Sequence, residues 1–573
     1  MDANELKHFE MLCTALYQSS DERERSLAQQ NVLVLQSSAE HIPRCQHILD
    51  NSTNMFALLV ASTSLTKLIT THWNNFTPAQ RIDIRNYVLG YLAQKGPNLE
   101  KYVTVSLIQL VCRLTKFGWF DDEQFRELNH EVSKFLQATV DHCIIGLQIL
   151  NELVTEMNQP VSGRNLTFHR KIAVAFRDAS LFHIFQVALT TVKTLHLKSI
   201  PGATADQENR MAEFALNLAI KCLSFDFIGI NPDESAEDAG ALQVPTSWRL
   251  IIQEPETMTL LFDFYNAAPA GSPNAPRCLE TLMLLASVRR SLFSPDQERA
   301  AFLSRLLTGI CRIISTQQGL SDPNNYHEFC RLLSRLKSNY QLSELMKAES
   351  FQDWMELTPT FTVKSFTQWQ WSANSVHYLL GLWSRLVAAL PYVRTERNGA
   401  ASIAFLDNSI PRIVQSYVQS RLDSALQVSQ DDTLDDPLED EGSLAEQFDK
   451  LPTICHYNYR VIGEYLLQMF DTILTQYREA CALAMDAQMD DDDDTLGRGI
   501  HGLEMQLAWL IYIVGSIIGG HSYASPQAAD GDEIVDADLS NRVFSTMKIV
   551  EHRLIQSGGR VKCHIHLELA FLH

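Results

Sequence analysis

The chain is predicted to be all-α, a superhelical solenoid of HEAT-type helix pairs (an alpha-alpha superhelix). Three observations carry this. The 573 residues exceed the size at which one apolar core stops growing, about 250–300 residues, so the chain is either several domains or one extended array. Gly and Pro number only 24 and 19, too few turn-makers for an all-β chain of this length. The apolar residues recur at helical spacing, with no sustained two-residue alternation.

The first 120 residues read helix by helix. Leu6, Phe9, Cys13, Leu16 and Tyr17 form one stripe, and Ser19 with Glu22 has capping-box spacing ahead of Ala28, Val32 and Leu35. Pro43 opens a short third helix reaching about Leu49. Leu58, Ala61, Leu65, Leu68 and Ile69 mark the fourth. Thr77 caps the fifth, with Pro78 at its first position and Gln80 three residues after the cap. Gly96-Pro97 ends it, read as a left-handed cap before a helix breaker. Val103, Leu107, Leu110, Val111 and Leu114 form the sixth stripe, closed by Gly118. Helix pairs therefore begin near residues 2, 42 and 78, close to the roughly forty-residue period of HEAT and armadillo repeats. One pair cannot bury its own apolar face, so stacking supplies the core and leaves a long face for wrapping a partner.

Further helices are expected near 168–176, 209–223, 276–292, 300–316, 327–336, 376–389, 400–429, 456–485, 502–518 and 538–556. Linkers are expected at 199–206, 231–245, 267–276, 429–443, 486–494 and 521–533. The uncharged stretch Leu507 to Gly520 is fourteen residues, short of the roughly twenty a membrane span needs, and is read as a buried helix.

Lys plus Arg total 47 against 68 Asp plus Glu, a net charge of −21. Phosphate backbones and anionic membranes repel such a chain; a basic protein partner suits it. The eleven Cys are scattered without a CxxC pair, and the start is polar and acidic, which predicts reduced thiols in cytosol or nucleus. GxGxxG, Walker A, GxSxG and HExxH are all missing, so binding rather than catalysis is expected, with no cofactor. Cys563, His564, His566 and His573 are soft ligands in an unusual spacing for zinc, and no metal site is assigned.

Two acidic runs stand out. Residues 429–443 carry Asp431, Asp432, Asp435, Asp436, Glu439, Asp440 and Glu441 with no base and Pro437 in their midst. They are expected to form a mobile insertion, solvated or acting as an electrostatic latch for a basic surface. The other lies near 486–494, where Asp490 to Asp494 lack the interleaved Gly turn of a calcium loop. Basic residues cluster at Arg289 and Arg290, and at Arg331 and Arg335 one turn apart with Lys337 near. These could form a basic face for a carboxylate-rich cargo or an internal acidic loop, or simply pair within their helices.

The strings FALLVASTSLTKLITTHW from Phe56, QRIDIRNYVL from Gln80 and LIQLVCRLTKFGW from Leu107 resemble the importin-β N-terminal domain, the first HEAT repeats of the karyopherin family of nuclear transport receptors. Longer strings are similar to the exportins of that family: HRKIAVAFRDASLF from His169, FDFIG from Phe225, PTSWR from Pro245, SVRRSLF from Ser287, LSDPNNYHEFCRLLSRLKSNYQL from Leu320, NSVHYLL from Asn374, DDPLED from Asp435 and WLIYIVGSIIGG from Trp509. The resemblance implies an importin-β N-terminal domain over 1–120 and further HEAT-type repeats over 121–573, with the acidic runs as insertions. It implies a receptor that loads protein cargo with the GTP form of the GTPase Ran, meets nuclear pore proteins, shuttles between nucleus and cytoplasm, and releases both after GTP hydrolysis. Neither nucleic acid nor membrane insertion is expected. Lys67 and Arg113 are read as polar interruptions on inward helices, flanked by Arg81 and Arg85; all four are taken as surface positions where Ran docks. The family's arch continues further than this chain, and VKCHIH from Val561 fits its pattern poorly. A C-terminally truncated arch with an uncapped last repeat is expected. The competing expectation is a HEAT-type scaffold or adaptor with no Ran dependence.

Overall fold

A computed structural model describes residues 1–198, 200–227, 241–392, 399–486, 496–520, 532–556 and 562–573. The acidic run at 487–494, most of the linkers at 231–245 and 521–533, and Val561 lie outside them. Among the described residues there is no strand, only an isolated bridge between Leu242 and Val288. The chain divides into two compact units, Met1–Leu292 and Phe293–His573.

The first unit is a stack of helix hairpins. Its helices are α1 (Ala3–Gln18), α2 (Glu22–Leu33), α3 (Ile42–Asn51), α4 (Met55–His72), α5 (Pro78–Lys95), α6 (Lys101–Gly118), α7 (Leu128–Gln137), α8 (Val140–Asn158), α9 (Leu166–Phe176), α10 (Phe182–His196), α11 (Ala205–Leu223), α12 (Arg249–Gln253), α13 (Pro255–Ala267) and α14 (Ala275–Ala286). Within hairpins α3 packs on α4, α5 on α6, α7 on α8, α10 on α11 and α13 on α14. The second helices α4, α6, α8, α11 and α14 then stack in succession as one layer. Its core includes Leu65, Leu107, Leu150, Leu216 and Leu282, all essentially excluded from water. Each fully buried side chain of this kind contributes roughly 1.5–3 kcal/mol, and only a neighbouring repeat supplies that burial.

The local signals hold at some ends and shift at others. Thr77 and Gln80 form the expected capping box, with Pro78 at the first turn. The cap of α2 is Asp21, which accepts from the Arg23 amide; Ser19 instead hydrogen-bonds Glu24. Gly96 is right-handed, at φ −47°, and continues into a 3-10 turn. What demands glycine there is space: a Cβ would stand 2.8 Å from Ile145 Cδ1. The helix expected over 276–292 stops at Ala286 and gives way to a bridge and a 3-10 turn, so Arg289 and Arg290 are not α-helical.

The second unit repeats the plan with longer helices: α15 (Asp296–Thr316), α16 (Pro323–Asn339), α17 (Leu342–Leu345), α18 (Phe351–Thr367), α19 (Trp369–Ser372), α20 (Val376–Ala389), α21 (Gly399–Gln430), α22 (Glu441–Phe448), α23 (Leu451–Cys455), α24 (Tyr459–Asp486), α25 (Leu496–Gly519), α26 (Asp532–Gln556) and α27 (Ile565–Leu572). One layer passes through α16, α20, α22, α23 and α25 to α27; α15, α18, α21, α24 and α26 form the other. Asp322 caps α16 through the Asn324 and Asn325 amides, with Pro323 at its first turn.

Membrane-span length does not separate the alternatives for α25. Residues 497–519 are long and apolar enough to cross a membrane, as are 166–196. Packing decides for α25: Leu507, Ala508, Trp509, Leu510, Ile513 and Ile517 are buried inside the unit.

Candidate partner-binding surfaces

Four-residue spacing gives α4 and α6 each an open stripe. On α6 it comprises Lys101, Val105, Gln109 and Arg113; on α4 it holds Thr63 and Lys67. Polar rungs tie these stripes together. Lys67 Nζ donates to Gln36 Oε1 at 3.0 Å. Arg113 clasps Glu156 of α8 with two contacts of 2.7 and 3.0 Å. Lys221 of α11 donates to the Asn151 carbonyl at 3.3 Å. Arg277 of α14 reaches Asn217 at 3.0 Å and Glu213 at 2.9 Å. The result is a face of mixed charge, with polar contacts joining α6 to α8, α8 to α11 and α11 to α14, a chemistry suited to a folded protein surface.

Lys67 and Arg113 thus lie on adjacent second helices. Arg81 and Arg85 do not join them; they belong to α5, a first helix. Arg81 sits 4.5 Å over the Trp73 ring and pairs with Asp121 at 2.5 Å. Arg85 is not at the surface at all. It is fully buried and pairs with Glu131 at 2.8 Å, because the amphipathic side of α5 turns it under α7.

Three charged residues that sequence reasoning missed lie buried or half-buried along these helices. Lys116, three residues after Arg113, is fully buried. Its ammonium donates to the Glu156 and Gln159 carbonyls at the end of α8. Desolvation pushes it down to about 8, although Glu156 stands 3.9 Å away. Burial also lowers Lys221 and raises Glu152, each opposed by the other's charge. The one available sequence signal was a second cation, three residues after Arg113, inside an otherwise apolar run.

The run 431–441 is not a loose insertion. Asp431 accepts from the Thr433 amide at 3.0 Å and its hydroxyl at 2.6 Å. Asp436 accepts from the Leu438 amide at 2.9 Å, and Leu438 is buried. Asp440 caps α22 through the Ser443 amide. These are local Asx turns, which the composition conceals. Asp436 also faces His566 at 3.3 Å, and Asp432 stands 3.9 Å from Arg498. Asp435, Glu439 and Glu441 complete the acidic set, with Glu439 and Glu441 exposed.

The four arginines expected to form a basic face divide between the units. Arg289 donates to the Ala241 carbonyl at 3.3 Å and lies against Gln243; Arg290 is exposed beside it. In the second unit Arg331 is held by both oxygens of Glu328, at 2.8 and 2.9 Å, and Arg335 is half-buried on the same helix.

Near the C-terminal residue the four soft ligands diverge. His566 turns to Asp436, while the His573 ring lies 5.3 Å from that of Tyr512. His564 accepts from the His566 amide as the cap of α27, and burial pushes its imidazole down to about 4. Among the described residues no group of three His, Cys, Asp or Glu could hold a metal ion. Beneath them Glu504, buried and raised by desolvation, accepts from Tyr477 at 2.8 Å, from the His564 amide at 2.8 Å and from Arg553.

A stack of helical hairpins whose second helices pack in one layer defines a helical-repeat array. The chain belongs to the exportin family: the Exportin-4 family model matches residues 1–375 and the Exportin-7-like TPR domain matches 425–573. It is similar to Exportin-7-A of Xenopus laevis, 42% identical over 560 residues, which covers 97% of this chain and 49% of the relative. Ran-binding protein 17 of Homo sapiens is 39% identical over 572 residues, 99% of this chain and 50% of the relative. Ran-binding protein 16 of Drosophila melanogaster is 39% identical over 576 residues, with the same two shares. The chain spans about half the length of these curated relatives.

Proposed function

We propose that this chain acts as a nuclear export receptor that binds protein cargo together with the GTP form of Ran and shuttles between nucleus and cytoplasm. Membership of the exportin family across both units carries the proposal. The names of its relatives, Ran-binding proteins among them, support the choice of GTPase. The chain supplies binding energy that differs between the two nucleotide states of the GTPase; hydrolysis belongs to the partner. Export requires meeting nuclear pore proteins but needs neither nucleic acid binding nor membrane insertion, and no chemistry is asked of the chain itself.

The Ran contact is proposed on the open stripes of α4 and α6, within residues 1–120. Lys67 is its cleanest probe, since its ammonium donates to the neutral Gln36 amide. Arg113 is already committed to Glu156, so reversing it also sets two carboxylates against each other. Lys67→Glu is expected to weaken Ran-GTP binding about tenfold at low salt, with the difference shrinking as salt rises, as read by titration calorimetry. Unchanged affinity for Lys67→Glu and Arg113→Glu alike removes the contact from this face.

A further inference from the structure

In the second unit, α16 and α20 pack side by side in one layer. Lys337 of α16 and Arg385 of α20 face each other's field there. Arg385 Nη1 donates to Ser334 Oγ at 3.1 Å, and Ser334 stands three residues before Lys337. Gly381, a turn before Arg385, packs beside the same point: a Cβ there would stand in ordinary contact, 3.6 Å, with both the guanidinium and the Ser334 hydroxyl. Burial lowers the Lys337 ammonium, and the nearby Arg385 charge lowers it further. Arg385 is exposed to solvent, and its partial desolvation against α16 still lowers the guanidinium.

Neither cation has an ion pair among the described residues. The carboxylate acting on Lys337 is Glu344, and that group is held by the buried Arg299 at 2.8 Å. Arg331, further up the same helix, is taken by Glu328. Glu446 faces His377 at 3.6 Å. A chain with 68 acidic residues against 47 basic ones could neutralise two neighbouring cations cheaply, yet among the described residues the Arg385 charge acts on Lys337 without an acid of this chain between them. Partly desolvated cations bind oxyanions more strongly than exposed ones.

We propose that Lys337 and Arg385, with Ser334 between them, form a docking point for the carboxylate side chains of an acidic protein segment. Arg331 lies outside it. This goes beyond the Ran contact proposed above, which falls in the other unit, so either can fail without the other.

The probe is a fluorescent glutamate-rich peptide titrated against the full chain, beside the same peptide with glutamines. The glutamate form should bind, and Lys337→Gln with Arg385→Gln should cost about tenfold in affinity. Arg385→Lys should restore part of that loss, and Arg331→Gln should change little. Melting curves confirm that each variant is folded. Equal binding of the glutamine peptide, an equal loss for Arg331→Gln, or an unchanged affinity in the folded double variant overturns the proposal. So does inorganic phosphate binding at this pair while the glutamate peptide does not, which would make it a free-anion site.

Discussion

Single residues here do work that their type does not announce. Gly118 ends α6 against Phe125, where a Cβ would stand 2.5 Å from the ring. An aromatic ring cannot yield as a flexible side chain can. Gly118→Ala is therefore expected to cost about 1–3 kcal/mol by overpacking, read as a lowered denaturant midpoint. Arg85, buried against Glu131, is a packing residue. Arg85→Gln should destabilise by about 1–2 kcal/mol, since the Glu131 left behind is partly solvated, and leave Ran-GTP affinity of the still-folded protein unchanged. Lys116 gives a pH signature. Its folded value of about 8 lies below the ordinary 10.5, so the unfolded chain holds the extra proton between those values. Stability should rise with pH across that window. Lys116→Met should remove this slope in melting curves compared with the parent protein. His564 shows the acidic counterpart. Its folded value of about 4 lies below 6.5, so the stability it contributes is present above pH 6.5 and is lost as pH falls towards 4. Protonation also removes the acceptor that caps α27. His564→Asn keeps a capping oxygen and should flatten that acid limb.

At the scale of elements, the first repeats were legible because each has an amphipathic stripe, a cap and a breaker in sequence order. Thr77-Pro78 and Gln80 mark the start of α5, and Asp322-Pro323 does the same for α16. Legibility failed where helices are wrapped on most sides. In α8, Ile144 through Leu147 and Ile149 through Asn151 are buried in unbroken runs, which blur the apolar period although Gln148, Glu152 and Thr155 keep a half-buried polar stripe. In α18, Pro359 sits inside the helix among Thr358, Thr360, Thr362 and Val363, types that argue against a helix interior. Packing overrides propensity there, with Trp354, Thr358 and Phe366 buried. The acidic run at 431–441 failed for a different reason. Charge composition predicts solvation, but Asx turns and a single buried Leu438 order it. Which face each candidate residue occupies was not readable in sequence, because facing direction depends on which helix of a hairpin it belongs to. Lys67 and Arg113 fall on second helices, Arg81 and Arg85 on a first.

At the scale of the whole molecule, repetition explains why a chain with few turn-makers reaches 573 residues. Each hairpin stabilises its neighbours, and the faces left over carry charge. The net charge of −21 disfavours polyanions as partners but leaves local exceptions at Lys67 and at Lys337 with Arg385. The proposed export function would use that surface for state-selective recognition of a GTPase. The direct measurement is binding of this chain to Ran loaded with GTP and, separately, with GDP, at low and physiological salt. Binding to the GTP form is predicted to be at least tenfold tighter, about 1.4 kcal/mol or more. Equal affinity for both forms would contradict the claim and leave a helical-repeat scaffold without Ran dependence.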